Sequence, residues 1–181
     1  MSEPGTIERT PLPQVRQELL DAALLRGDFV LSSGARSTYY LDKYRFETRP
    51  ALLRSLAQYL ADLVPAGVDR LAGTELGAVA LAAAVSLQTD LPFIIVRKVE
   101  KDYSTANLIE GELKPGERVL VLEDVVTSGA QSIKAADRVV AAGGVVVGIL
   151  AVVDRQEGGE AKVAAAGYRL TSLFTRADLG I

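Results

Sequence analysis

Two stretches of this chain, Val119-Leu120-Val121-Leu122 and Val145-Val146-Val147, are uninterrupted runs of apolar, mostly β-branched residues. A strand with one wet face alternates apolar and polar side chains, whereas a strand buried on both faces does not. Both runs therefore predict strands covered above and below. Such cover comes from helices that cross over between parallel strands, so the chain is constrained to an α/β architecture with a central, mostly parallel sheet.

The remaining periodicities fit this frame. Pro11 and Pro13 open a stretch in which Val15, Leu19, Ala22 and Ala23 recur at helical spacing, predicting a first helix that stops at Gly27. Phe29-Val30-Leu31 and Thr38-Tyr39-Tyr40-Leu41 flank small and polar residues and predict a hairpin. Thr48 is placed as the cap of a second helix, with Pro50 in its first turn and a stripe of Leu52, Leu53, Leu56, Leu60 and Leu63. Strands then alternate with helices: strand 69–73, helix 77–88, strand 93–96, a polar loop 97–117, strand 118–123, helix 130–142 and strand 145–153. A helix near 160–166 and a strand near 168–174 close the pattern. We expect one domain, with N-terminal hood elements over about 1–45 and a core over about 46–181.

Composition narrows the chemistry. A chain of 181 residues, 49% of them hydrophobic, can bury a full core. Lys and Arg number 20 against 23 Asp and Glu, and a net charge of −3 argues against a broad cationic surface for nucleic acid or anionic lipid. With no cysteine and no histidine, a metal must sit on oxygen ligands, which favours magnesium or a similar hard cation. The N-terminus lacks the pattern of a secretion signal, and the longest apolar runs, 76–87 and 145–153, fall short of the roughly 18 residues that span a bilayer. The expectation is a cytoplasmic protein with neither nucleic acid nor membrane as partner.

The informative segment follows the first apolar run. Glu123-Asp124 is followed by Val125-Val126 and then by Thr127-Ser128-Gly129-Ala130-Gln131-Ser132, which leads into a helix. In an open parallel sheet, ligands gather beyond the carboxyl ends of the strands. Small residues there let backbone N–H groups turn around a phosphate, hydroxyls add donors, and the helix N-terminus adds partial positive charge. Two acids just before such a loop would repel an anion unless a sugar diol and a metal filled the space between. The alternative is an ordinary strand-to-helix turn with capping residues.

The run from Val119 to Ala130 resembles the signature of type I phosphoribosyltransferases. That resemblance implies their fold: a mostly parallel sheet flanked by helices, with a small N-terminal hood. It implies phosphoribosyl pyrophosphate as donor, with Thr127, Ser128, Gly129, Ala130, Gln131 and Ser132 on its 5′-phosphate and Glu123 and Asp124 on its ribose. Magnesium (Mg2+) would be carried mainly by the donor's pyrophosphate. Direct protein ligands are not expected, and Asp124 would reach the ion through water.

Other segments resemble the orotate branch of that family. Residues 97–111 carry Arg97, Lys98 and Lys101 within five positions, a cationic stretch that reads physically either as a lid or as a solvated loop. The resemblance implies a mobile catalytic loop in which Arg97, Lys98 and Lys101 contact pyrophosphate and Tyr103 joins the substrate contacts. Val153-Asp154-Arg155-Gln156-Glu157-Gly158-Gly159 is similar to the family segment whose arginine helps bind orotate, and a planar guanidinium suits a carboxylated pyrimidine. A structural Asp154–Arg155 cap is the other reading. The stretch Ser33 to Asp42 resembles the hood, where an aromatic stacks near the base. Tyr39 and Tyr40 point to opposite faces if extended, so one is expected at the ligand and the other in the core. Gly73-Thr74-Glu75-Leu76-Gly77 resembles the pyrophosphate loop, which makes Thr74 and Glu75 candidates, although a plain helix entry explains the same residues.

The chain also departs from the family pattern. Some members carry a lysine within the segment equivalent to 74–77, a lysine where Ser32 stands and a histidine where Tyr103 stands; none is present here. The resemblance implies an orotate phosphoribosyltransferase with Lys101 and Asp124 as catalytic residues, acting as a homodimer with shared sites. Two rivals stand beside it: transfer to another purine or pyrimidine base, and a non-catalytic regulator that senses phosphoribosyl pyrophosphate.

Overall fold

A computed structural model of the chain describes residues 9–30, 36–98 and 108–181. Helix α1 (Leu12–Ala23) is followed by β1 (Leu24–Val30), β2 (Arg36–Leu41) and the short helix α2 (Lys43–Glu47). Next come α3 (Pro50–Asp62), β3 (Arg70–Thr74), α4 (Gly77–Thr89), β4 (Phe93–Val96) and β5 (Ile109–Glu110). The chain ends with β6 (Arg118–Val126), α5 (Ala130–Ala141), β7 (Val145–Asp154), α6 (Gly159–Ala165), β8 (Leu170–Thr175) and α7 (Arg176–Leu179).

Among the described residues the central sheet has the order β5-β4-β3-β6-β7-β8, and only the β4–β5 pair is antiparallel. This is the expected mostly parallel sheet. The chain steps outward from β3 to β4 and then returns to the other side of β3 to lay down β6. Strand order thus reverses between β3 and β6, and a crevice opens beyond the carboxyl ends of two strands whose connections leave in opposite directions.

Alternation along β6 sorts its side chains to two cores. Leu120 and Leu122 join Leu56, Leu60, Leu81 and Val85 under α3 and α4, while Val119 and Val121 join Ala135, Ala136 and Val139 of α5. Each fully buried leucine or valine contributes about 1.5–3 kcal/mol relative to an exposed one, which is why these strands tolerate no polar interruption before position 123.

Four boundaries differ from the sequence-based expectation. Gly27 does not stop α1; it lies inside β1, where the register with β2 shifts between Arg26 and Phe29, and such an irregularity accommodates a glycine. Thr48 does not cap α3. Its hydroxyl bonds the Tyr44 carbonyl at 2.6 Å at the end of α2, and Arg49 holds the N-cap position before Pro50. The loop expected over 97–117 contains the edge strand β5. Finally, β6 continues past the acidic residues, because Val125 and Val126 pair with Val153 and Asp154 of β7.

Candidate active site

Glu123 and Asp124 reach the crevice as consecutive residues of a strand, so their side chains leave on opposite faces. Glu123 turns toward α5, where its Oε1 accepts from Thr74 Oγ1 at 2.9 Å and its Oε2 from Ser132 Oγ at 3.1 Å. It thereby ties β3, β6 and the first turn of α5 together. Burial, and then the charge of Asp124, push its pKa above the usual carboxylate range. Asp124, 1% exposed, turns toward α2 and α4. Its Oδ2 meets Lys43 Nζ at 2.6 Å and its Oδ1 accepts from the Val125 N–H at 2.5 Å. The two acids are neighbours in sequence but serve different sides of the crevice.

Beyond β6 the backbone turns through Thr127, Ser128 and Gly129 into α5. Gly129 has φ +74°, in the left-handed region that favours glycine, and among the described residues no side chain caps the helix. The first N–H groups of α5 therefore face a cavity of about 240 Å³ whose wall includes Thr127, Ser128, Gly129, Ala130, Gln131 and Ser132. This cup rests on the start of α6: a Cβ on Gly159 would lie 2.6 Å from the Thr127 carbonyl oxygen, and one on Gly129 would lie 2.9 Å from Val163 Cγ2. Only glycine at 159 permits that backbone approach.

A second, larger cavity of about 930 Å³ adjoins the first and shares Lys43, Asp124, Thr127 and Ser128 with it. Phe29, Tyr40 and Arg155 line its far side. Arg155 is 7% exposed; its Nη2 pairs with Glu157 at 2.8 Å and donates to the Tyr39 hydroxyl at 3.3 Å, and its guanidinium lies 5.0 Å from the Tyr39 ring centre. Its Nε is buried without a hydrogen-bond partner among the described residues. A buried unpaired donor is costly and marks a place where a ligand acceptor would restore balance. Neither tyrosine enters a core as expected for one of them. Tyr39 is half-buried against Arg155, and Tyr40, 41% exposed, sits with its ring 5.7 Å from that of Phe29.

The other expected residues divide. Lys98 lines the first cavity, as do Thr74 and Glu75, but the Thr74 hydroxyl is committed to Glu123 and Glu75 accepts from the Lys98 N–H at 2.8 Å. Arg97 is held between Glu75 at 3.9 Å and Glu110 at 3.4 Å. Lys101 and Tyr103, with Ser32 and most of the expected lid, lie outside the described residues.

Three residues at the crevice went unnoticed in the sequence. Arg138 of α5 donates to the carbonyls of Arg97 and Lys98, fixing where the segment after β4 leaves the sheet. Lys43 and Glu47 both come from α2. Glu47 is 4% exposed beside Asp124, and burial together with that neighbouring charge raises its pKa well above the ordinary carboxyl value. No local motif distinguishes any of the three.

Comparison with known proteins follows the same lines. Residues 46–170 match the phosphoribosyl transferase domain family. The chain is 47% identical to an orotate phosphoribosyltransferase of Natronomonas pharaonis over 90% of its own length and 96% of that protein's. The chain belongs to the orotate phosphoribosyltransferase family. Among solved structures, the Aeropyrum pernix orotate phosphoribosyltransferase is similar with a TM-score of 0.81 and 33% identity, over 91% of this chain and 95% of that one. The Mycobacterium tuberculosis family member crystallised with 5-phospho-α-D-ribosyl 1-diphosphate is similar with a TM-score of 0.79 and 30% identity, over 94% and 99% of the two chains. The loop that resembles the family signature is the one that walls the first cavity.

Proposed function

We propose that this chain transfers the phosphoribosyl group of phosphoribosyl pyrophosphate to N1 of orotate, giving orotidine 5′-monophosphate and pyrophosphate. The observation that carries the reading is the pair of adjoining cavities. One is walled by a helix N-terminus and small hydroxyl residues suited to a phosphate monoester, the other by a buried arginine suited to a carboxylated ring, and Asp124 stands where they meet. In this reading Thr127 to Ser132 hold the 5′-phosphate, Asp124 receives ribose hydroxyls, and Glu123 positions the cup through Thr74 and Ser132. Arg155 orients orotate through its Nε and its stack on Tyr39. The C1′–oxygen bond to pyrophosphate breaks with its electron pair going to the departing oxygen as the bond to N1 forms, and the N1 proton passes through water to the released pyrophosphate. Alignment across the shared wall and charge placed at the leaving group lower the barrier.

The residues present fit a magnesium ion borne by the donor. Asp124 and Glu123 are already hydrogen-bonded within the protein, and magnesium is commonly held by substrate phosphates and water with one or two carboxylates nearby. When bound, the ion would neutralise pyrophosphate charge, with Asp124 reaching it through water. Lys98, and by resemblance Lys101, would contact the same group.

A homodimer in the cytoplasm is part of the proposal. Leu76 at the N-cap of α4 and Ala80, Ala83 and Leu87 within it follow one another at helical spacing, and Leu76 and Leu87 are 63% and 81% exposed, an apolar stripe suited to a second copy. Among the described residues no helix is long and apolar enough to cross a membrane. The deciding assay follows the ultraviolet absorbance of orotate when donor and magnesium are added together. Absence of any change under saturating donor would reject the assignment.

A further inference from the structure

Charge at the junction of the two cavities is unevenly supplied. Glu123 and Asp124 bring two carboxyls to the wall, Glu47 adds a third beside Asp124, and Glu75 contributes a fourth at the outer edge. Of the cations lining the same space, Arg138 is committed to two backbone carbonyls, and Lys98 enters from the edge next to Glu75. Lys43 stands alone between the cavities among the described residues. It lines both, its side chain is 27% exposed, and its Nζ is 2.6 Å from Asp124 Oδ2.

A further distance locates the ammonium relative to α4. A Cβ built on Gly77 would lie 2.9 Å from Lys43 Nζ and 1.6 Å from Asp124 Oδ2, so the ion pair fits against the turn that begins the helix after β3. This is the segment that contains no lysine of its own. The cation is delivered there by α2, from outside the sheet. Burial opposes the ammonium, but Asp124 outweighs it and the Lys43 pKa is raised, so the group is charged at neutral pH.

Resting on the donor-site reading above, we propose that Lys43 is a pyrophosphate-binding and leaving-group residue: its ammonium, paired with Asp124 in this structure, re-partners to the pyrophosphoryl end of the donor and frees Asp124 for the ribose. A lysine suits this exchange because its ammonium is a compact charge with three rotatable donors on a flexible stem. Negative charge grows on the departing oxygen as C1′–O breaks, so an ammonium at that oxygen acts on turnover as well as on binding. Asp124 loses one partner and gains another and is never left unpaired in the buried wall.

The test compares Lys43→Met and Lys43→Arg with the wild-type enzyme, using inorganic pyrophosphate, ribose 5-phosphate and orotate as separate probes. Lys43→Met should weaken pyrophosphate binding roughly 10- to 100-fold, the equivalent of losing one charge-assisted hydrogen bond, and lower kcat by about tenfold or more. Ribose 5-phosphate affinity and the KM for orotate should change less than about threefold, and Lys43→Arg should recover part of the pyrophosphate affinity. If Lys43 only neutralises Asp124, Lys43→Met loses thermal stability while pyrophosphate affinity stays at the wild-type value, and the proposal is overturned. If Lys43→Met does not fold, the ammonium resonance of Lys43 in the wild-type protein decides: it should shift with pyrophosphate and not with ribose 5-phosphate, and no shift with pyrophosphate overturns the proposal. Failure of the underlying reading looks different, because the wild-type enzyme itself would then bind neither phosphorylated probe.

Discussion

At the start of β6, Glu117 receives Arg70 through two hydrogen bonds of 2.7 and 2.8 Å and the Lys114 N–H at 2.9 Å. Near the end of the same strand, Asp124 shares one lysine with two further carboxyls pressed close to it. The first arrangement is balanced, and the Arg70 hydrogen bond, followed by that of the Lys114 N–H, pulls the Glu117 pKa down to about 2. The second is overloaded with acid, and Glu47 and Glu123 are pushed the other way. One strand thus separates a balanced charge pair from a crowded acidic cluster at the crevice, and perturbed carboxyls in a cleft are where a functional site is expected.

That contrast can be broken in four ways. The largest effect is expected from Gly77→Ala, since the added methyl would occupy the position Asp124 Oδ2 now fills. We expect kcat/KM to fall roughly 100- to 1,000-fold as the carboxylate is displaced, measured by orotate consumption. A near-normal rate would show that Asp124 does not need this gap. Arg155→Lys comes next: losing the planar head should raise the KM for orotate about 10- to 100-fold and leave the KM for the donor almost unchanged. Equal rises in both would dissolve the division into two chambers.

At the balanced end, Arg70→Met should cost about 2 kcal/mol of stability in urea titrations with kcat untouched. The sign with pH follows from the lowered pKa of Glu117: its contribution is complete above the ordinary value of 4.5 and disappears as pH falls toward 2. The variant should therefore lose its disadvantage in acid, and a gap between the two proteins that persists at pH 2 would contradict the pairing. The smallest effect has the opposite sign. The Glu47 pKa is raised, so its carboxyl costs stability as pH climbs above the ordinary carboxyl range. Glu47→Gln, which mimics the protonated form, should raise the melting temperature at pH 8 by about 2–4 °C per kcal/mol recovered, and should do nothing near pH 4. Destabilisation at pH 8 would mean that Glu47 is ionised and paired.

What could be read from sequence follows the reach of each interaction. β6, β7, α4 and α5 were legible because their apolar patterns arise from burial on known periods, and the cup was legible because its residues are consecutive. The end of β6 was placed three residues early, since only the partner strand reveals that Val125 and Val126 remain paired. Gly27 and Thr48 were misread as helix signals because a strand irregularity and a preceding short helix use the same residue types. Lys43 lies 81 positions from Asp124 and belongs to a five-residue helix without a pattern of its own, so no local rule could join them. Arg155 is singled out in the sequence by its neighbours, while its contact with Tyr39, 116 positions away, is beyond any spacing argument.

Thr127 and Gly129 sit closely on Gly159, the glycine that opens α6, and this bears on redesign. The segment that carries Arg155 and the loop from Thr127 to Ser132 thus meet at the level of main chain, where Gly159 lies against the Thr127 carbonyl. Under the proposed function, grafting residues 154–159 from an enzyme with another acceptor preference would disturb the loop from Thr127 to Ser132 together with Arg155. Variation in what the second chamber admits is more freely explored from the opposite bank, where the β1–β2 ribbon brings Phe29 and Tyr40 to the wall without touching that main-chain junction.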